Sequence, residues 1–273
     1  MILFPQAKIN LGLHVLRCRQ DGYHDIDSVF YPVNWRDILE IVPSPDGKCS
    51  FFPSGLQIPG QPEQNLVVRA WRIMEQMYHL PPVHLYLHKT IPPGSGLGGG
   101  SSDAAGTLVL LNRLFDLGLD TTTLRNIAAG IGSDCAFFVE PAPACVSGRG
   151  EVIAPYSLSL PSIVIVVPPV SVFTADAYAA IRPSERDQAV ASLLRKPISL
   201  WKDLLINDFE EVVGKQLPLI QSIKALLYSK GASYASMSGS GSAVYGIFEN
   251  DIPDTERLRT ESGGLVFVSS CRS

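Results

Sequence analysis

Pro92-Pro93-Gly94-Ser95-Gly96-Leu97-Gly98-Gly99-Gly100-Ser101-Ser102 is the stretch whose reading decides the fold. It stands between an alternating segment, Val83 to Lys89, and a helix read over Ala104 to Leu117 that ends at Gly118. Five glycines fall within Gly94 to Gly100. Glycine admits positive φ, so successive backbone N–H groups can curl around one anion, and the helix that follows adds the positive end of its dipole. The Ser101 and Ser102 hydroxyls are placed to cap that helix or to contact a phosphate or its Mg²⁺. A loop that merely connects has little use for so many glycines. The P-loop pattern needs a lysine that this run lacks. Gly94, Gly96 and Gly99 satisfy the spacing of a dinucleotide fingerprint, but the helix after them leads to a second helix, Thr121 to Ala129, stopped by Gly130 and Gly132, and not to a buried strand. The catalytic H-R-D and D-F-G segments of protein kinases are also missing.

Composition narrows the ligand. The chain has 273 residues, 46% hydrophobic and 18% charged, enough to bury a core without disulfides or a structural metal. Its formal net charge of −4 argues against a sequence-independent nucleic-acid binder, so an anion must be held by local geometry. The five cysteines (Cys18, Cys49, Cys135, Cys145, Cys271) are odd in number and form no C-x-x-C pair, which fits a reducing compartment. Without a signal-peptide pattern or an apolar run of ~18 residues, the expectation is a soluble cytoplasmic protein.

Working outward from the loop, Ala7 to Leu16 alternates, with Ile9, Leu11, Leu13 and Val15 on one face and Lys8, Asn10, Gly12 and His14 on the other. Asp21-Gly22 marks a turn, and Ile26 to Val33 and Asp37 to Val42 continue the strands, so the first ~45 residues read as an antiparallel meander. Pro43 to Pro62 reads as loop. A helix is expected from Asn65 to His79, with Leu66, Ala70, Ile73, Met74 and Met77 on its buried stripe. A domain boundary is placed in the proline-bearing segment Ile153 to Pro161, giving domains 1–155 and 156–273. Beyond it come a strand at Ile163 to Val167, helices near Ala175 to Ile181, Leu200 to Val213 and Pro218 to Ser229, then strand, glycine loop, strand, helix and a last strand, Leu265 to Ser269. His84 and His88 lie four residues apart on a strand, ~13 Å, too far to share one metal ion.

Taken singly, Lys8 reads as a solvated strand lysine and Asp134 as an Asx turn after Gly132. Four features together resemble the GHMP small-molecule kinases, whose phosphate loop is glycine-rich and has no lysine. They are Ala7-Lys8-Ile9-Asn10-Leu11 with Asp21-Gly22-Tyr23-His24, the run from Pro92 to Ser102, Gly132-Ser133-Asp134, and Ser238-Gly239-Ser240-Gly241-Ser242. They occur in the family's order along nearly the whole chain. The resemblance implies an α+β GHMP kinase fold, with an N-terminal domain of ribosomal-protein-S5-domain-2 type containing a left-handed βαβ unit, a ferredoxin-like C-terminal domain, and an active site in the cleft between them. It points within the family to members that transfer the ATP γ-phosphoryl group to the 2-hydroxyl of a cytidine-diphosphate-linked methylerythritol in non-mevalonate isoprenoid synthesis.

Carried over residue by residue, the resemblance makes Asp134 the acceptor of the hydroxyl proton, while Lys8 orients that carboxylate and stabilises the migrating phosphoryl. A carboxylate is a weak base, so proton transfer is expected late, with positioning providing most of the acceleration. ATP is expected on Asn65, Leu66 and Val67, on Lys89, and on Pro92, Pro93, Gly94, Ser95, Gly96, Leu97, Gly98, Gly99, Gly100, Ser101 and Ser102, with Mg²⁺ as its companion. The substrate is expected on Asn10, on Tyr23 and His24, which hold the cytosine, and on Phe173, Thr174 and Gly239. The partner is this small molecule, with neither nucleic acid nor membrane, and the chain is a monomer or weak homodimer. Rival readings are a GHMP kinase for mevalonate, homoserine or a sugar, a nucleotide-binding oxidoreductase using Gly94, Gly96 and Gly99, and a non-catalytic binding module. Two departures stand out. Asp103 occupies a position where the family often has Asn, so it either points away from bound phosphate or helps hold Mg²⁺. Cys135-Ala136 replaces a common Val-Pro pair after Asp134.

Overall fold

The computed structural model describes residues 1–172 and 174–270; Phe173 and Cys271 therefore lie outside the described residues. The chain runs β1 (Ile2–Leu3), β2 (Gln6–Cys18), β3 (His24–Arg36), β4 (Ile38–Pro43), β5 (Ser50–Gly55), α1 (Leu66–Tyr78), β6 (Val83–Lys89), α2 (Gly99–Leu114) and α3 (Thr121–Ile131). It continues with β7 (Ala144–Ser147), β8 (Val152–Pro155), β9 (Ser162–Val167), α4 (Thr174–Ala180), α5 (Val190–Leu193), α6 (Trp201–Leu204), α7 (Phe209–Gln216), α8 (Pro218–Ser229), β10 (Tyr234–Met237), β11 (Val244–Phe248), α9 (Thr255–Ser262) and β12 (Leu265–Ser269). Helix and strand are mixed throughout, as an α+β chain requires. Among the described residues no helix is long and apolar enough to cross a membrane.

By contact the chain divides into two units and passes between them five times. The first comprises Met1–Ala7, Trp35–Pro93 and Gly98–Pro141; the second comprises Lys8–Asn34, Gly94–Leu97 and Ala142–Ser273.

In the first unit the sheet order is β1-β4-β6-β5. The β4–β6 pairing is antiparallel, whereas β5 and β6 run parallel across α1, a βαβ unit. Pro53 and the glycines around it concealed β5 inside a segment read as loop; as the last strand in the sheet, β5 tolerates its proline. The alternation of β6 holds, with Val83, Leu85, Leu87 and Lys89 buried. α1 and α2 lie against this sheet, and Leu39, Ile41, Leu85, Leu87, Val68, Met74, Leu108 and Leu111 form its core. Gly106 allows the approach of α2, since a Cβ there would meet Leu3 and Pro5 at 3.1 and 3.2 Å. The stripe of α1 is turned from the expected one: Val67, Val68, Ala70 and Met74 are buried, while Met77 is 53% exposed.

The expected meander divides after β3. β2 and β3 belong to a sheet ordered β2-β3-β7-β8, while β4 joins the first unit's sheet beside β1. In the second unit β9, β10, β11 and β12 form an antiparallel sheet ordered β10-β11-β9-β12, with helices between β9 and β10 and with α9 between β11 and β12. This is the split βαβ arrangement of ferredoxin-like domains. The helix expected over Leu200 to Val213 is broken: α6 ends at Leu204, Leu205 is extended, and α7 begins at Phe209. The break follows from an isolated parallel bridge between Leu13 and Asn207, with hydrogen bonds from Leu13 N–H to Ile206 O and from Asp208 N–H to Leu13 O, both 2.9 Å. Other boundaries move less. α2 begins at Gly99 and ends at Leu114, well short of Gly118, and α3 continues through Gly130 to Ile131.

The turned stripe gives a direct check. Met74→Ala, at a fully buried site, is expected to lower the unfolding free energy by ~2–5 kcal/mol in urea titrations. Met77→Ala should change it by less than ~0.5 kcal/mol.

Candidate active site

β2 carries the first cluster. Its expected outer face is not solvated: Lys8, Asn10 and His14 are each 3% exposed or less. Polar groups so buried need partners. Lys8 Nζ donates to Asn10 Oδ1 at 2.5 Å and to Gly96 O at 3.2 Å, and lies 4.6 Å from the Phe30 ring centroid. Asn10 Nδ2 donates to Ser28 Oγ at 3.1 Å, and Ser28 passes its own proton to Gly12 O at 2.6 Å. The Asn10 N–H reaches Ser238 Oγ at 3.3 Å, and Ser238 Oγ in turn donates to Gly96 O at 2.9 Å. Tyr245 OH donates to Asn10 O at 2.8 Å.

This network brings the expected Lys8, Asn10, Gly96 and Gly239 together. A Cβ on Gly239 would stand 3.2 Å from Gly96 O and 3.3 Å from Asn10 Oδ1. Asn207 Nδ2 donates to Met237 O and Gly239 O, both at 2.8 Å, and so shapes the second glycine loop. Gly96 itself has φ +78°, and a Cβ there would run into the Ser238 carbonyl. Ser28, Asn207, Ser238 and Tyr245 are the members that residue patterns did not single out as site residues. Ser238 lay in a quoted motif, whereas Ser28 and Asn207 sat in segments read as ordinary strand and helix.

Tyr23 and His24 follow their turn as expected. Tyr23 is 49% exposed, with the Arg149 guanidinium 4.6 Å from its ring centroid. His24 stacks on Tyr178 with centroids 5.1 Å apart, and Tyr178 meets Phe209 edge-on at 4.7 Å. Arg149 and Tyr178 were not anticipated; Gly148 and Gly150 on either side of Arg149 are the only local signal. An open cavity of about 540 Å³ adjoins this segment, lined by Arg17, Asp25, Ser147, Gly148, Glu185 and Arg186 among others. Thr174 opens α4.

In the first unit the chain enters α2 through Gly98, the N-cap at φ 73°. Ser101 and Ser102 therefore lie inside the first turns and do not cap the helix. Asn65 caps α1 through its side-chain oxygen, which accepts the Val67 N–H at 2.9 Å; Leu66 is half-buried and Val67 fully buried. Asp134 is half-buried at the N-cap of a short 3-10 helix, Cys135–Val139. Burial pushes the Cys135 thiol up to about 12, opposed by a hydrogen bond with Ser101.

Lys89 is turned inward. Its ammonium donates to Asp103 Oδ2 at 2.7 Å and to Asp37 Oδ2, and the three side chains are almost fully buried. Asp103 is thus paired with Lys89. Burial opposes the Lys89 charge, but Asp103 and Asp37 outweigh it and raise its pKa. Burial also raises Asp103, to about 7, against the pull of Lys89 and with the help of Asp37. Asp103 Oδ1 is buried with no hydrogen-bond partner among the described residues. No group of three or more His, Cys, Asp and Glu that could hold a metal occurs among the described residues.

Two outcomes follow. Gly96→Ala meets both the positive φ and the Ser238 carbonyl, so it should cost more than the ~1–3 kcal/mol of a strained left-handed residue. Gly94→Ala, at φ 67° with nothing near its Cβ, should cost only that strain; urea midpoints of both variants check the difference. The second concerns pH. Between about pH 4 and 7 the folded chain keeps an Asp103 proton that the unfolded chain has lost, so this contribution to stability is full below that window and gone above it. Asp103→Asn should flatten the fall in urea midpoint from pH 4 to pH 7.

The GHMP kinases N-terminal domain model matches residues 65–141, and the GHMP kinases C-terminal model matches residues 189–257. The 4-diphosphocytidyl-2-C-methyl-D-erythritol kinase of Bacteroides fragilis is 50% identical over 252 residues, covering 91% of this chain and 92% of its own. The enzyme of the same name from Cytophaga hutchinsonii is 45% identical over 274 residues, covering 99% and 98%. Among solved structures, a 4-(cytidine 5'-diphospho)-2C-methyl-D-erythritol kinase superposes with TM-score 0.82 at 30% identity, covering 99% of this chain and 98% of its own. A mevalonate kinase superposes with TM-score 0.71 at 12% identity, covering 99% and 98%, a likeness of fold alone. With both family models matched over more than half its length and relatives this similar across nearly all of it, the chain belongs to the GHMP kinases.

Proposed function

We propose that the chain is an ATP-dependent kinase that phosphorylates the 2-hydroxyl of 4-diphosphocytidyl-2-C-methyl-D-erythritol, giving the 2-phosphate and ADP. The observation that carries this is the 50% identity, over nine-tenths of the chain, to a relative bearing that substrate's name. Mevalonate, homoserine and sugar kinases share the fold at far lower identity and are not favoured.

Phosphoryl transfer asks the protein for alignment and neutralisation of charge more than for covalent chemistry. In our reading the backbone N–H groups of the glycine run and the first turn of α2 receive the triphosphate. Lys8 stabilises the transferring group, and Asp134 takes the proton from the attacking hydroxyl. Asn10 is held beside Lys8 by the same hydrogen bonds and is proposed to orient the acceptor. Tyr23 and His24 are proposed to hold the cytosine, a reading supported by the ring contacts that already fix His24 on Tyr178. Gly239 lies against Gly96, which supports a second glycine loop working with the first. The donors around the glycine run are amides and serine hydroxyls, a set that suits a Mg²⁺ ion carried largely on phosphate and water oxygens. That ion supplies neutralisation of the phosphate charge when bound. The proposed domains remain 1–155 for ATP and catalysis and 156–273 for the second domain, and the proposed location is the cytoplasm.

A coupled assay for ADP release, with the cytidine-linked substrate set against mevalonate and homoserine, tests the reading. The cytidine compound should be turned over and the other two not. Asp134→Asn should lower kcat by roughly 10²–10⁴-fold if the carboxylate takes the proton. Turnover of mevalonate in place of the cytidine compound sinks the substrate assignment, and full activity in Asp134→Asn removes its role.

A further inference from the structure

Asp37, Lys89 and Asp103 come from three separate elements and meet at one buried point. Asp37 immediately precedes β4 and is anchored by its N–H to Pro5 O at 2.9 Å. Its Oδ1 accepts two successive amides, Thr90 N–H at 2.6 Å and Ile91 N–H at 2.9 Å, where the chain leaves β6 for the glycine run. Asp103 stands in the second turn of α2, where the chain has left that run. Lys89 spans the two, giving one proton to each carboxylate. The exit also packs on the entry, since a Cβ on Gly99 would meet Ile91 Cγ2 at 2.9 Å and Lys89 Nζ at 3.1 Å.

Three ionisable groups are a costly way to fill a core. Well-packed apolar residues of similar volume are commonly as stable as a buried ion pair or more so. Here the cost is greater still, because two carboxylates share one ammonium and Asp103 Oδ1 has no partner. What the arrangement supplies that apolar packing would not is a fixed distance and direction between entry and exit. A direct hold on ATP is a poor explanation for Lys89, whose ammonium is 3% exposed and already engaged twice.

We propose that Asp37, Lys89 and Asp103 form a positioning clamp that sets the two ends of the glycine run against each other, so that the first amides of α2 meet the triphosphate in one geometry. Lys89 acts through this clamp and not by touching the nucleotide. The proposal rests on the kinase reading above and adds to it three positioning residues, two of them carboxylates that no anion site would be expected to recruit.

Asp103→Ala cuts the tie to α2 and leaves the Lys89–Asp37 pair intact and neutral overall. Displacement of a binding group by about an ångström is felt strongly, so KM for ATP should rise by roughly tenfold or more. KM for the acceptor should stay within about twofold, and Asp103→Asn, which keeps an oxygen for Lys89, should hold KM for ATP near the wild-type value. If Asp103→Ala does not fold, Asp103→Glu keeps the charge and lengthens the tie by one methylene, and the same split between the two KM values is expected. Adding Lys89→Met with Asp37→Asn to the Asp103→Ala chain should raise KM for ATP by less than about threefold; a further tenfold rise would mean that the ammonium touches the nucleotide, and would overturn the proposal. A lower urea midpoint with both KM values unchanged, or an equal rise in both, also overturns it. No ADP release from the wild-type chain brings down the kinase reading and the clamp with it, whereas an active wild type with no split in Asp103→Ala brings down the clamp alone.

Discussion

Burying the polar face of β2 is the constraint on which much of the irregular structure depends. A lysine and an asparagine taken out of water must recover their hydrogen bonds inside the protein. The partners that Lys8 and Asn10 find are a carbonyl of the glycine run, the Ser28 hydroxyl and the Ser238 hydroxyl. Each fixes a feature that regular secondary structure would not produce. Gly96 must present its carbonyl to Lys8 and Ser238 together, which requires a positive φ and an absent side chain. Ser238 must sit just after β10, so the second glycine loop begins there. Asn207, held in the break between α6 and α7, reaches two carbonyls of that region.

Local pattern carried a good part of this. The alternation of β6, the glycine run and the strand, loop, strand, helix, strand series at the C-terminal end all lie where periodicity and turn residues put them. The losses have a common physical cause: partners distant in sequence. β5 contains Pro53 and five other residues with no clean alternation, and only its parallel pairing with β6 makes it a strand. The stripe of α1 is set by what covers it, so Met77 is solvated although its spacing from Met74 suits a common face. The helix is interrupted between Leu205 and Asn207 because Leu13 lies beside Asn207, nearly two hundred residues earlier. The candidate site was legible in part: Lys8, Asn10, Gly96 and Gly239, named through the family resemblance, do lie together. Its supporting residues were not, since Asp37, Ser28 and Asn207 carry no local mark of what they hold.

The likeness to a mevalonate kinase at 12% identity is one of fold alone. A fold of this type hosts several acceptors, and discrimination rests with a few side chains. In this chain the candidates lie together where the strand turns between β2 and β3: Tyr23 beneath a guanidinium and His24 stacked on another ring. Aromatic and cationic contacts of this sort hold a side chain in place before any ligand arrives, which lowers the entropy lost on binding.

The five passages of the chain between its two units dictate an order of events during synthesis. The first unit has all its residues once Pro141 has emerged, yet Lys8 to Asn34 belong to the second and have been waiting since the beginning. Their partners Ser238 and Tyr245 arrive about a hundred residues later, roughly 5–20 s at ordinary elongation rates. Throughout that interval the middle of β2 has β3, the Ser28 hydroxyl and the Gly96 carbonyl beside it, but not the Ser238 and Tyr245 hydroxyls that complete its hydrogen bonds. The hydrogen bonds of β2 are therefore completed only when β11 has been made.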